Sequence, residues 1–164
     1  MHLVFLLEEQ SMEAFLQVLL PRLLPEDCSH ETHTFQGKRD LKRKLEARFR
    51  GYSRWLPDDW RIFVLVDRDG DDCEELKEEL EVTARRSGLR TISRGGLWQL
   101  ANRIVIEELE AWYFGDWQAV RQAYPRVSPH IPTRAEHLDP AVNRSGSFSV
   151  FHRTLMEAVP ADAG

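Results

Sequence analysis

The stretch that most constrains this chain is Arg61-Ile62-Phe63-Val64-Leu65-Val66-Asp67-Arg68-Asp69-Gly70-Asp71-Asp72. An apolar run rich in β-branched residues stops abruptly in aspartates and a glycine. A run of that length with no polar alternation predicts a strand buried on both faces, which is the habit of parallel sheets. The acids then fall at its carboxyl end, where open α/β sheets bind their ligands. Asp67 and Asp69 are two residues apart. If the pleat persists to Asp69, both carboxylates point to one side. Two carboxylates so placed repel each other, and a divalent cation between them relieves the repulsion. A metal site is the expectation that follows.

The rest of the chain supplies a setting for such a strand. Leu3 to Leu7 predicts a buried first strand, with Glu8 and Glu9 at its end. Ser11 is placed to cap a helix whose Met12, Phe15, Leu16, Leu19 and Leu20 form an apolar stripe, interrupted by Pro21 and ended by Pro25. His30 to Phe35 predicts a short second strand. Leu41, Leu45 and Phe49 recur at helical spacing, as do Leu76, Leu80 and Ala84, with Gly88 suited to a C-cap. Leu89 to Ser93 is a candidate strand, and Arg94-Gly95-Gly96 a mobile loop. Arg103 to Ile106 predicts the next strand, also ending in acids: Glu107, Glu108 and Glu110. Residues 111–124 read as helical around a break at Gly115-Asp116. Pro125 to Ser147 has no period and reads as a long loop. Ser147 is placed to cap a last helix carrying Phe148, Phe151 and Leu155. Strand and helix thus alternate about four times, which predicts an α/β fold: a mainly parallel sheet with helices on both faces. No linker divides residues 1–160, so one domain with a short tail, 161–164, is expected.

Composition narrows the function classes. The chain has 164 residues and a formal net charge of −5, so it is no basic nucleic-acid coat, and any such contact must come from a local patch. One patch stands out. The helix opened by Gly37 carries Lys38, Arg39, Lys42, Arg43, Lys44, Arg48 and Arg50 against only Asp40 and Glu46. Clustered Lys and Arg hold a phosphate backbone without reading sequence. Two cysteines, Cys28 and Cys73, are too few for a disulfide framework and point to a reduced, cytoplasmic setting. The apolar start lacks a basic region and a small-residue cleavage site, so a signal peptide is not expected. No apolar stretch approaches the roughly 20 residues of a membrane span.

Three strands are predicted to end in acids: Glu8 and Glu9, Asp67 and Asp69, and the group from Glu107 to Glu110. In a parallel sheet these ends share one edge. Several carboxylates there suit Mg²⁺ or Mn²⁺, which take oxygen ligands and support phosphodiester cleavage. Other chemistries write similar motifs. Asp67-Arg68-Asp69-Gly70 also matches the D-x-D-G of haloacid-dehalogenase phosphatases, with the first Asp as nucleophile, but those carry it on their first strand. An EF-hand needs glycine at its sixth position, where Asp72 stands. His30 and His33 are three apart, not the four of a zinc helix motif. Cys73, amid so much negative charge, is a poor thiolate.

The combination of a Glu after the first strand with a D-x-D after a central one resembles the Toprim fold of topoisomerases, primases and OLD-type nucleases. More closely, Leu6-Leu7-Glu8-Glu9-Gln10-Ser11-Met12-Glu13, Gly37-Lys38-Arg39-Asp40-Leu41, Val64-Leu65-Val66-Asp67-Arg68-Asp69 and Arg103-Ile104-Val105-Ile106-Glu107-Glu108-Leu109-Glu110-Ala111-Trp112 resemble a Toprim-like bacterial family. That family is known as a domain of unknown function, number four thousand two hundred seventy-six. The resemblance implies a Toprim-type site in which Asp67 and Asp69 hold Mg²⁺ or Mn²⁺ and Glu8 is a ligand or general acid/base. Many members have glycine where this chain has Glu9, so either Glu8 or Glu9 can be the functional acid. Glu108 and Glu110 match the family's own acidic motif and are further candidate ligands. The resemblance also implies a role in anti-phage defence beside an ATPase partner.

The expected function is therefore metal-dependent cleavage of DNA or RNA, with Lys38, Arg39, Lys42 and Arg43 on the backbone. The alternatives are a non-catalytic subunit that binds a partner through exposed Trp55, Trp60 and Trp98, and a phosphatase using Asp67. Whether the protein forms a homo-oligomer is left open.

Overall fold

A computed structural model describes residues 1–105 and 138–159. Its elements run β1 (His2–Leu7), α1 (Gln10–Leu23), β2 (Ser29–Thr34), α2 (Lys38–Tyr52), β3 (Trp60–Asp67), α3 (Cys73–Arg86), a 3-10 turn (Ile92–Arg94) and β4 (Leu100–Val105). The last helix, here α4, spans Gly146–Ala158. Among the described residues four strands form one sheet in the order β2-β1-β3-β4, and all neighbours are parallel. The fold is α/β, as the alternation of periods predicts.

Both faces of the sheet are covered, which explains the uninterrupted apolar strands. Leu3, Phe5, Leu7, Phe63 and Leu65 pack toward α1 and α4, with Phe15, Leu19, Phe148 and Phe151. Val4, Leu6, Ile62, Val64 and Val66 pack toward α2 and α3, with Leu41, Leu45, Phe49, Leu76 and Leu80. The pleat sends successive residues to opposite faces, so one strand feeds two cores. The parallel arrangement brings the carboxyl ends of β1 and β3 side by side, since Leu7 is in register with Leu65.

Several local expectations are corrected. Pro21 lies inside the last turn of α1 and does not interrupt it. Only one helical N–H is lost there, and the apolar stripe before it, Met12 to Leu20, is buried in the core. Glu9, not Ser11, sits at the N-cap of α1, and Ser145, not Ser147, caps α4 by accepting the Phe148 N–H. Leu89 to Ser93 is no strand. It holds a single bridge, Thr91 to Leu100, and then the 3-10 turn. β4 starts at Leu100, ahead of Arg103, because Leu100 and Ala101 pair with Ile62 and Phe63. Trp98 is buried, with its ring edge-on to Phe63 and beneath the Arg61 guanidinium, while Trp60 is half-buried and Trp55 exposed. Gly88 does end α3. At φ +85° its N–H reaches Arg85 O, the Leu89 N–H reaches Ala84 O, and Leu89 is buried, the paired bonds of a Schellman cap. The expected end of the β4 run at Ile106, the acids Glu107, Glu108 and Glu110, the helical region 111–124 and most of the long loop lie outside the described residues.

Candidate metal centre at the carboxyl edge of the sheet

Glu8 leaves the end of β1 on the α2 side of the sheet, following Val4 and Leu6. It is 9% exposed. Its Oε1 accepts the Lys38 N–H at 3.1 Å, and its Oε2 accepts the Asp67 N–H at 2.9 Å. Glu8 O also accepts the Gly37 N–H at 3.0 Å. One carboxylate thus ties β1 to the end of β3 and caps α2, whose own N-cap, Gly37, has no side chain to do so. Gly37 is required by conformation, not space: its φ is +80° and a Cβ there would meet nothing within 4 Å. Burial raises the Glu8 pKa, and the Asp67 N–H and the Lys38 charge only partly oppose it.

Asp67 is the last residue of β3 and follows Phe63 and Leu65 on the α1 side. The strand stops there. Asp69 has φ +51°, the left-handed region that Asp tolerates better than most residues. The pleat therefore does not persist to Asp69, and the expected pair of parallel carboxylates is corrected: the turn swings Asp69 toward the head of α2. There Lys38 Nζ lies 2.8 Å from Asp69 Oδ2, 2.8 Å from Asp71 Oδ2 and 3.0 Å from Arg68 O. The Lys38 side chain is only 15% exposed. Burial disfavours its charge, but the bonds to Asp69 and Asp71 more than offset this and raise its pKa. The same contact holds Asp71 below its usual range.

Among the described residues no three acidic, His or Cys side chains gather as a ready-made metal cage. Glu8 meets the backbone N–H of Asp67, and Glu9 is exposed at the head of α1, its carboxylate accepting from Ser11. That separates the two candidate acids. Asp72 caps α3 through the Glu74 and Glu75 N–H groups, whereas Asp71 joins the Lys38 contact. The turn nonetheless suits a hard cation: two carboxylate oxygens and a carbonyl oxygen already converge on one positive centre. Sequence reasoning missed Asp71 and the Arg68 carbonyl as members of this set. The signal for Asp71 was ambiguous, since helix capping explains an Asp there equally well.

The basic helix is largely paired. Lys42 meets Glu79, Arg43 and Lys44 meet Asp40, and Arg50 meets Glu46. Arg39 is exposed and makes no ion pair among the described residues. Arg48 lies over the Phe35 ring.

These features define an α/β protein whose parallel sheet presents an acidic carboxyl edge beside the head of a basic helix. The chain belongs to the family described as Domain of unknown function (DUF4276), which matches residues 7–162. No curated protein and no solved structure matches the chain.

Proposed function

We propose that the acidic edge is a Toprim-type centre that binds Mg²⁺ or Mn²⁺ and cleaves a nucleic-acid phosphodiester. The observation that carries this reading is the convergence of Asp69, Asp71 and the Arg68 carbonyl on one cationic position, at the carboxyl edge of a parallel sheet and next to Asp67. Bound there, such an ion polarises a phosphoryl oxygen and lowers the pKa of water. Asp69 and Asp71 would supply its carboxylates from the turn, and Asp67, which ends β3, a third. Glu8 holds β1, β3 and α2 in one geometry, and burial raises its pKa above the ordinary carboxylate value, the direction a proton carrier needs. Arg39 and its neighbours on α2 meet the phosphate backbone.

The test is a nicking assay on plasmid and single-stranded substrates with Mg²⁺ or Mn²⁺. Cleavage that needs the metal and disappears in Asp67→Ala supports the proposal, and cleavage that survives Asp67→Ala overturns it. One observation favours a second reading, a non-catalytic subunit that binds a partner such as an ATPase: Lys38 already pairs with both carboxylates of the acidic turn. Absence of Mn²⁺ binding at millimolar metal by calorimetry, with stable co-purification of a partner, selects that reading.

A further inference from the structure

We infer that Lys38 is an internal competitor for the metal: its ammonium occupies the oxygen set of the acidic turn, and a divalent ion binds by displacing it. This rests on the proposed divalent-cation centre and adds how that centre is filled and emptied. Three contacts place the ammonium. It sits 2.8 Å from a carboxylate oxygen of Asp69, 2.8 Å from one of Asp71 and 3.0 Å from the Arg68 carbonyl. A hard divalent ion takes the same kind of oxygen ligands at shorter range. The two cations cannot share those oxygens at bonding distance without strong repulsion.

The lysine is fixed at its other end too. Its backbone N–H is held by Glu8 at 3.1 Å, so its Cα cannot drift from the turn. The side chain, in contrast, has four rotatable bonds, and both carboxylates it bridges are about half exposed. It can swing out while α2 stays in place. The resident ammonium lowers the apparent metal affinity by the fraction of molecules it closes. Once released, it becomes a positive group at the head of α2, next to exposed Arg39, where a phosphate would approach. Lys38 therefore alternates between counter-ion and phosphate contact, and the turn avoids bare like charges when no metal is bound.

Mn²⁺ affinity measured by calorimetry on the full chain tests this. Lys38→Met keeps the length of the side chain and removes the charge. Lys77→Met is the matched control, since Lys77 is an exposed α3 lysine with no ion pair among the described residues. Lys38→Met is expected to bind Mn²⁺ about tenfold more tightly than wild type, the scale of two ion pairs released together. Lys77→Met should move affinity far less, and Lys38→Arg should stay near wild type. A second measurement needs no variant. Reductive methylation followed by mass spectrometry should show Lys38 labelled faster with Mg²⁺ than without it, and Lys77 unchanged. The inference is overturned if Lys38→Met binds no more tightly than Lys77→Met, or if bound Mg²⁺ leaves Lys38 labelling unaltered. Those results spare the metal centre itself, whereas no Mn²⁺ binding by any of the proteins overturns both.

Discussion

The Asp67 N–H donates to Glu8 Oε2 at 2.9 Å, so the acid after the first strand is bonded to the backbone of the acid that ends the third. Its other oxygen accepts from Lys38. Glu8→Gln keeps one acceptor and turns an NH₂ toward the other donor. Leaving a part-buried N–H without its acceptor costs up to about 1–3 kcal/mol. Urea denaturation should show the unfolding free energy lowered by that amount, read as a lower midpoint at an unchanged m-value. Glu9→Gln, at an exposed position, should stay within about 0.5 kcal/mol of wild type. Equal effects of the two substitutions would contradict the bracket assigned to Glu8.

Asp69 carries a second expectation through its backbone. At φ +51° a residue with a short polar side chain is tolerated and a β-branched one is not. Asp69→Asn should therefore fold with little loss while weakening Mn²⁺ binding, because only the charge is removed. Asp69→Val adds strain of about 1–2 kcal/mol. Thermal unfolding separates the two, and a valine variant as stable as the asparagine variant would argue against the left-handed turn.

That turn marks where the sequence stops being readable. The strands and helices of both cores were legible because burial imposes periods of two and 3.6 on the apolar residues. Phe63 and Leu65 facing one core, with Val64 and Val66 facing the other, follow from that rule alone. Beyond Asp67 no period operates. Whether Asp69 and Asp71 turn toward Lys38 depends on one left-handed residue and on a lysine 31 positions away in the chain. Capping residues were similarly ambiguous, since Ser145 and Ser147 both precede the apolar face of α4. Trp98 was misplaced because a polar, glycine-rich neighbourhood hid its contact with Phe63 and Arg61.

The ion pairs along α2 divide its basic residues. Arg39 makes no ion pair among the described residues, while Lys42 is held by Glu79 and Arg43 by Asp40. If α2 meets a phosphate backbone, Arg39→Ala should weaken binding uniformly across sequences and reduce the slope of log affinity against log salt by about 1. Lys42→Ala and Arg43→Ala should change the slope less, since each cation must first leave a carboxylate. Fluorescence anisotropy with a labelled oligonucleotide over a salt series gives these slopes. An Arg39→Ala slope equal to that of wild type removes this residue from the interface.

Phe63 sits at the centre of the core on the α1 side. It is fully buried, with its ring against Phe5, Trp98 and Phe151. Phe63→Ala leaves a cavity that three other aromatic rings cannot fill, and such changes cost about 3–5 kcal/mol. Against a typical domain stability of about 5–15 kcal/mol, the variant should lose a large share of its denaturant midpoint. A shift under about 1 kcal/mol would contradict the packing described for β3.

Glu81 supplies the pH dependence. It is buried on α3, and Ser93, Thr91 and Asn102 donate to its carboxylate. Burial pushes its pKa up, but those three donors, helped by Lys77, outweigh burial and hold it below the ordinary value of 4.5. A carboxyl depressed in the folded state adds stability that is present above its unfolded pKa and is lost as pH falls through its folded pKa. Wild type should therefore exceed Glu81→Gln in stability by about 1–3 kcal/mol near pH 7, the scale of hydrogen bonds to a charged acceptor. The gap should hold down to about pH 4.5 and close below it. Denaturation of both proteins from pH 7 to pH 3 measures the gap directly. A gap that widens on acidification would reverse the sign and show that burial, not the three donors, dominates at Glu81.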